Sequence, residues 1–154
     1  MCLEFKEESL LTTSPAIVID SQLNLHGVNY ELGPFLRMSC PKEWKYKALS
    51  EWPTGKHLFS SVIFALGFVP IDLHTFFLVE TSENGFEERS TSFMNSLWAH
   101  SRIVEQEGEY CRVRDNVQFS TRIGVIGILL KPVYQAVFKH RHKRLRARFG
   151  EKFI

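Results

Sequence analysis

YCRVRDNVQFST, residues 110–121, alternates residue by residue. Cys111, Val113, Asp115, Val117 and Phe119 share one face, and Arg112, Arg114, Asn116, Gln118 and Ser120 share the other. A period of two, apolar on one side and polar on the other, predicts a strand with one face in the core and one in water. Asp115 breaks the apolar face. A carboxylate there must be paired or protonated, because burying an isolated charge is costly. The period then changes. Ile126, Leu129, Leu130, Val133, Val137, Phe138, Leu145 and Phe149 recur at three- and four-residue steps. That spacing predicts one long amphipathic helix, started or kinked at Pro132 and stopped at Gly150.

Upstream, residues 57–66 (HLFSSVIFAL) and 73–80 (LHTFFLVE) are apolar runs rich in Phe, Val and Ile, separated by the breaker GFVPID. Both read as strands. Ser82-Glu83-Asn84-Gly85 is a hairpin turn by its Asn-Gly pair. FEERSTSF (86–93), a turn at residues 94–96 and LWAHSRIVEQ (97–106) follow as strand, turn and strand, and a turn at residues 107–109 leads into the opening strand. Near the N-terminus, LEFKEESLL (3–11) reads as a strand. Ser14 caps and Pro15 opens a helix that runs to about Leu25 and ends at Gly27. VNYELGP is a short second helix or turn, PFLRMSCP (34–41) a short extended piece, and 41–56 a loop without period. Six strands are read in all. The order of strand, helices, antiparallel strands and a long helix predicts an α+β fold, the C-terminal helix lying across one face of a curved antiparallel sheet.

A chain of 154 residues with 44% hydrophobic and 23% charged residues is read as one domain, residues 1–154, without need of a disulfide or metal staple. Phe supplies 13 of the aromatics, Trp and Tyr seven. Net charge is +2, but six of the 19 basic residues fall in KHRHKRLRAR (139–148), so the remainder, 13 basic against 17 acidic, is net acidic. Cys2, Cys40 and Cys111 form no CxxC and no even framework. The N-terminus MCLEFKEES is not a signal peptide, and the most apolar stretch, 62–71, is shorter than the roughly 20 residues of a membrane span. A cytoplasmic location is expected. GxSxG, Walker A, GxGxxG, HExxH and HxxxH patterns do not occur. Neither a cofactor nor a metal is predicted.

The order of these elements resembles the SRPBCC superfamily, the START and birch-pollen-allergen-like helix-grip proteins, and is most similar to its small bacterial members of unassigned function. The resemblance spans residues 3–150. It is carried by GVNYELGPFLRM (27–38), LGFVPID (66–72), GFEERS (85–90), WAHSR (98–102), RDNVQF (114–119) and VFKHRHKRLRARFG (137–150). It implies a seven-stranded antiparallel sheet gripping the C-terminal helix, two short helices after the first strand, and a deep cavity between sheet and helix for apolar ligands. Residues 42–56 depart from the usual strand pattern.

Four sets of residues are candidates for the site. Strand alternation puts Trp98, His100 and Arg102 on one face, and Glu88, Ser90 and Ser92 on another, within reach of Asp115 through consecutive hairpins. One reading is a polar cavity floor, with Arg102 paired to Asp115 or Glu88 and His100 bonding a ligand or moving a proton. The other is a buried ion-pair network that fixes the register of the sheet. Tyr30, Glu31 and Arg37 fall where the resemblance places a cavity rim. Tyr30 and Arg37 would contact a head group, or Glu31 and Arg37 would form a surface pair contributing about 0–1 kcal/mol. Asp72 and His74 alternate with Phe76 and Leu78 and would face the cavity. On the C-terminal helix, Lys139, Lys143, Arg144 and Arg146 point outward. They suit a transient membrane-surface contact better than nucleic acid, since no aromatic residue falls among them to stack on bases. The apolar lining is read as Phe59, Ile63, Phe76, Phe86, Trp98, Val117, Phe119, Val133, Val137 and Phe138, with plain core packing as the alternative for each.

The sequence thus predicts binding of a hydrophobic or amphipathic small molecule, such as a lipid, fatty acid, sterol-like or polyketide-like compound. The alternatives are a cyclase-, dehydratase- or hydrolase-like enzyme using His100 with Asp115 or Glu88, and an interaction protein that docks through its basic helix.

Overall fold

The computed structural model describes residues 1–151, so the last three positions of the expected domain lie outside the described residues. The chain runs β1 (Leu3–Leu11), α1 (Pro15–Gln22), α2 (Leu25–Leu32), β2 (Leu36–Met38), β3 (His57–Ala65), β4 (Val69–Ser82), β5 (Gly85–Ser92), β6 (Asn95–Glu107), β7 (Tyr110–Thr121) and α3 (Gly124–Phe149). The strands form one antiparallel sheet in the order β1-β7-β6-β5-β4-β3-β2. It curls around α3, which packs on β1, β7 and α2. β7 behaves as its period demands: Cys111, Val113, Asp115, Val117 and Phe119 are buried and the intervening residues are not.

The seventh strand is β2, the short extended piece at Leu36–Met38, paired with the end of β3. β4 starts at Val69, inside the stretch expected to break the chain. Leu66, Gly67 and Phe68 make the turn, the first two at positive φ. Pro70 fits the strand because it lies opposite Phe64 at a register shift, and the pairing with β5 begins only at His74. The β4–β5 hairpin turns where expected, for a different reason. Gly85 pairs with Ser82 inside the strands, and a Cβ on it would lie 2.3 Å from the Arg102 carbonyl oxygen. Its hydrogen side chain lets β6 pass.

The first helix stops at Gln22, short of Leu25. Asn24 turns the chain into extended backbone, and its side chain accepts the Gly27 N–H at 2.7 Å, capping α2. Gly27 is therefore not a helix stop but the third residue of α2, where a Cβ would sit 2.5 Å from the Gln22 Cα. Pro132 neither starts nor ends α3, which is helical on both sides of it. Residues 41–56 are an irregular connection, yet not an external one. Two single 3₁₀ turns, Lys42–Trp44 and Leu49–Glu51, drive Leu49 and Trp52 into the core, where Trp52 packs on Trp44, Phe59 and Phe76. A second apolar cluster, Phe5, Val117, Phe119 and Phe138, fills the space between α3 and the β1–β7 edge.

Candidate active site

Between these two clusters the core is not filled. A cavity of about 490 Å³ lies between the sheet, α2 and α3. Its wall is mostly apolar, with Leu25 and Leu32 from α2, Met38 from β2, and Leu78 from β4 among its residues. Phe35, Ile71 and Val133 belong to the wall and are about half exposed, which marks the mouth. Exposed apolar side chains flank it: Phe93 (76%) precedes the wall residue Met94, and Leu129 (71%) precedes the wall residue Leu130.

Polar side chains enter the wall in two places. Asp72, Asn95 and Tyr134 form one set, with the Asn95 amide donating to the Tyr134 hydroxyl at 3.0 Å. His74, Glu88, His100 and Arg141 form the other. This second set is the exposed side of a larger buried network. Glu88 is paired in register with His100, and Arg102 with Asp115, so the strand pairing brings all four onto the inner face. Asp115, fully buried, accepts four hydrogen bonds: from His100 Nε2 at 2.8 Å, Arg102 Nε at 2.9 Å and Nη2 at 2.7 Å, and His142 Nε2 at 2.7 Å. Glu31 accepts a fork from Arg102 at 2.7 and 2.8 Å, with further bonds from Gln22 at 2.7 Å and Arg141 Nε at 3.1 Å. Glu88 takes the Ser90 hydroxyl at 2.6 Å and faces His74 at 3.1 Å and His100 Nδ1 at 3.5 Å. His142 is held from behind by Ser9 Oγ at 2.7 Å.

Burial alone would raise each of these carboxyls. In Asp115 the Arg102 guanidinium and the two histidine bonds outweigh burial and hold the acid well below the usual range. Arg102 and Arg141 do the same for Glu31, and His74 and His100 for Glu88. All three are carboxylates at neutral pH. Against two buried guanidiniums they leave one negative charge. His100 has a carboxylate oxygen facing each ring nitrogen, Glu88 Oε1 at 3.5 Å and Asp115 Oδ1 at 2.8 Å.

Of the residues expected in the site, Ile63, His74, Phe76, Phe86, Glu88, Trp98, His100, Val133, Val137 and Phe138 line the cavity. Eight do not. Val117 and Phe119 face inward but are covered by Phe5 and Phe138 in the second cluster. Phe59 packs behind the wall against Trp44, Trp52 and Phe76. Ser90, Arg102 and Asp115 stand one layer back, their polar atoms consumed by the network. Tyr30 turns outward under the guanidiniums of Arg144 and Arg148. Arg37 lies over Phe64 and donates to the Gly67 carbonyl, so the pair expected between Glu31 and Arg37 is not formed. Glu31 is buried instead. Arg102 pairs with Asp115 and Glu31 rather than with Glu88.

Glu31, Arg141, His142, Asn95 and Tyr134 were not read as inward site residues. For two of them the signal was present. Arg141 lies three residues after Phe138 and four before Leu145, and His142 four after and three before, so helical spacing puts both on the apolar face. Of the four cations assigned to the outer face, Lys139 and Lys143 are exposed, whereas Arg144 bonds the Tyr30 carbonyl and Arg146 bonds Ser9 and Glu151.

For proton transfer, His100 must first release a carboxylate, since both nitrogens already face one. Cys111 is fully buried, and burial pushes its thiol up to about 11, so it is not a nucleophile at neutral pH. Among the described residues no group of three or more His, Cys, Asp or Glu is placed to hold a metal ion, and no helix is long and apolar enough to cross a membrane.

A family model described as "Domain of unknown function (DUF8410)" matches residues 9–149. No curated protein matches the sequence. Solved structures with the same fold include a START superfamily protein from Mycobacterium smegmatis, 9% identical, with a TM-score of 0.64 and 95% of this chain and 96% of that one covered. The Zhui aromatase/cyclase from Streptomyces sp. R1128 is 10% identical, with a TM-score of 0.66 over 96% and 93%. The major latex-like protein 151 of Panax ginseng is 8% identical, with a TM-score of 0.63 over 96% and 97%. The architecture is therefore the helix-grip fold that the sequence resembles.

Proposed function

This chain belongs to the DUF8410 family, and we propose that it uses the helix-grip fold to bind one hydrophobic or amphipathic small molecule in the cavity between sheet and α3. The observation that carries this reading is an apolar interior of about 490 Å³, open at Phe35, Ile71 and Val133, with His74, Glu88, His100 and Arg141 in one part of its wall. Ligand sites are of this size and pattern, mostly apolar with a few placed polar groups. Magnitude supports it as well. A dry cavity costs about 24 cal/mol per Å³, so this one, left empty and dry, would cost on the order of 12 kcal/mol, comparable to a whole domain's stability. An interior of that size is wetted through its mouth or filled by a ligand.

The test is uptake of a neutral apolar fluorophore, N-phenyl-1-naphthylamine. The wild-type chain takes up one equivalent with enhanced emission. Val137→Trp, which puts an indole into the cavity from α3, abolishes uptake while retaining the far-UV spectrum. Equal uptake by the two proteins would place the probe elsewhere and remove the support for this site.

A further inference from the structure

We infer that the ligand carries a carboxylate, and that Arg141 is its receptor; the inference rests on the binding function proposed above. Arg141 lies on α3, is only 6% exposed and forms part of the cavity wall. Its guanidinium sits 4.8 Å over the Phe138 ring and its Nε donates to Glu31. Its two terminal nitrogens make no hydrogen bond to any described residue. The contrast with Arg102 is direct: there Nε and both terminal nitrogens are bound to Glu31 and Asp115.

A guanidinium carries five donors, and the terminal nitrogens of Arg141 are not sealed off: they keep accessible surface in a residue that lines the cavity, where water or a ligand supplies their acceptors. Glu31 cannot meet these donors, because each of its oxygens already accepts two bonds. The cavity is the side from which acceptors must come. Two adjacent terminal nitrogens form the planar fork that matches a carboxylate with two parallel bonds. The other charged groups in this wall do not favour a cation instead. Glu88 is occupied by Ser90, His74 and His100, Asp115 and Glu31 are sealed off, and Asp72, in the other polar set, accepts the Leu73 and Met94 N–H groups. From Arg141 the wall along α3 runs through Phe138, Val137, Tyr134 and Val133 to Leu130, eleven residues away. At 1.5 Å per residue this is a track of about 16 Å, apolar except for the Tyr134 hydroxyl. A carboxylate at Arg141 with an unbranched or ring-bearing apolar body along this track satisfies both halves of the site.

The experiment displaces N-phenyl-1-naphthylamine with dodecanoate, dodecanol, methyl dodecanoate and dodecylamine, which share one tail. A charge-assisted pair at Arg141 makes dodecanoate effective at a concentration at least about tenfold below the alcohol and the ester. Arg141→Met removes that advantage and leaves dodecanol unchanged, and Arg141→Lys, which keeps the charge without the fork, retains part of it. Equal displacement by acid and alcohol on the wild-type chain, or preference for the amine, overturns the carboxylate inference while the binding function stands. Failure of the fluorophore and of all four compounds to bind overturns both.

Discussion

Asp115 shows how one residue couples the fold to the site. It sits directly opposite Arg102 across β6–β7 and holds His100 and His142, the first in the cavity wall and the second on α3. It therefore ties sheet, helix and cavity together without touching a ligand. Removing one member of a buried ion pair leaves the rest uncompensated, at a cost of about 3–5 kcal/mol. Asp115→Asn is expected to lower unfolding stability in urea at pH 7 by that order, and a loss below about 1 kcal/mol would show the network to be dispensable. The acids also set a pH dependence. Glu31, Glu88 and Asp115 are all lowered in the folded chain, so below their ordinary values the unfolded chain binds more protons than the folded one. Stability from these groups is complete above about pH 5 and falls as pH drops through 4.5 and 3.8, the ordinary values. Denaturation midpoints measured from pH 7 to pH 3 should fall steeply below pH 4.5, less so in Asp115→Asn.

At the scale of elements, the close approach of α1 and α2 brings Gln22 onto Glu31, which Arg102 of β6 and Arg141 of α3 enclose from the other sides. A Cβ on Gly27 would meet Gln22 Cα and Ser21 O at 2.5 Å, both backbone atoms that cannot rotate away. Gly27→Ala, a change that elsewhere in a helix stabilises by up to about 1 kcal/mol, is expected here to destabilise by more than that. Gly124→Ala, at the open start of α3 with nothing within 4 Å, is expected to be neutral or slightly favourable. Thermal midpoints of the two variants check the sign. These elements also show how far the sequence could be read. Strands β5, β6 and β7 and the inward face Trp98–His100–Arg102 were legible because a period of two survives any neighbour. The 41–56 connection was not, because Trp52 and Leu49 are buried by tertiary contacts and carry no local period. Glu31 was misread for the same reason: a carboxylate beside Tyr30 on a short helix looks exposed until Arg102, 71 residues later, is seen to reach it. Arg141 and His142 were hidden by composition, since a run of cations masks two members that point inward.

On the scale of the whole molecule, the Phe residues among those described do not fill the interior. Two clusters pack at either side, and α3 spans the gap between them. A ligand that occupies the gap adds its binding free energy to the fold. At 100 times its dissociation constant it contributes about 2.7 kcal/mol, which for a chain of this size raises the melting temperature by roughly 5–10 °C. Dodecanoate is expected to give a shift of that order with the wild-type chain and none with Val137→Trp, as read by calorimetry.

The most direct measurement of the central claim is native mass spectrometry of freshly purified protein, paired with an organic extract of the same sample. The account predicts one extra mass of a few hundred daltons per chain, recovered in the extract as an amphiphile bearing a carboxylate. A bare protein mass, together with no uptake of N-phenyl-1-naphthylamine by that same preparation, would contradict it.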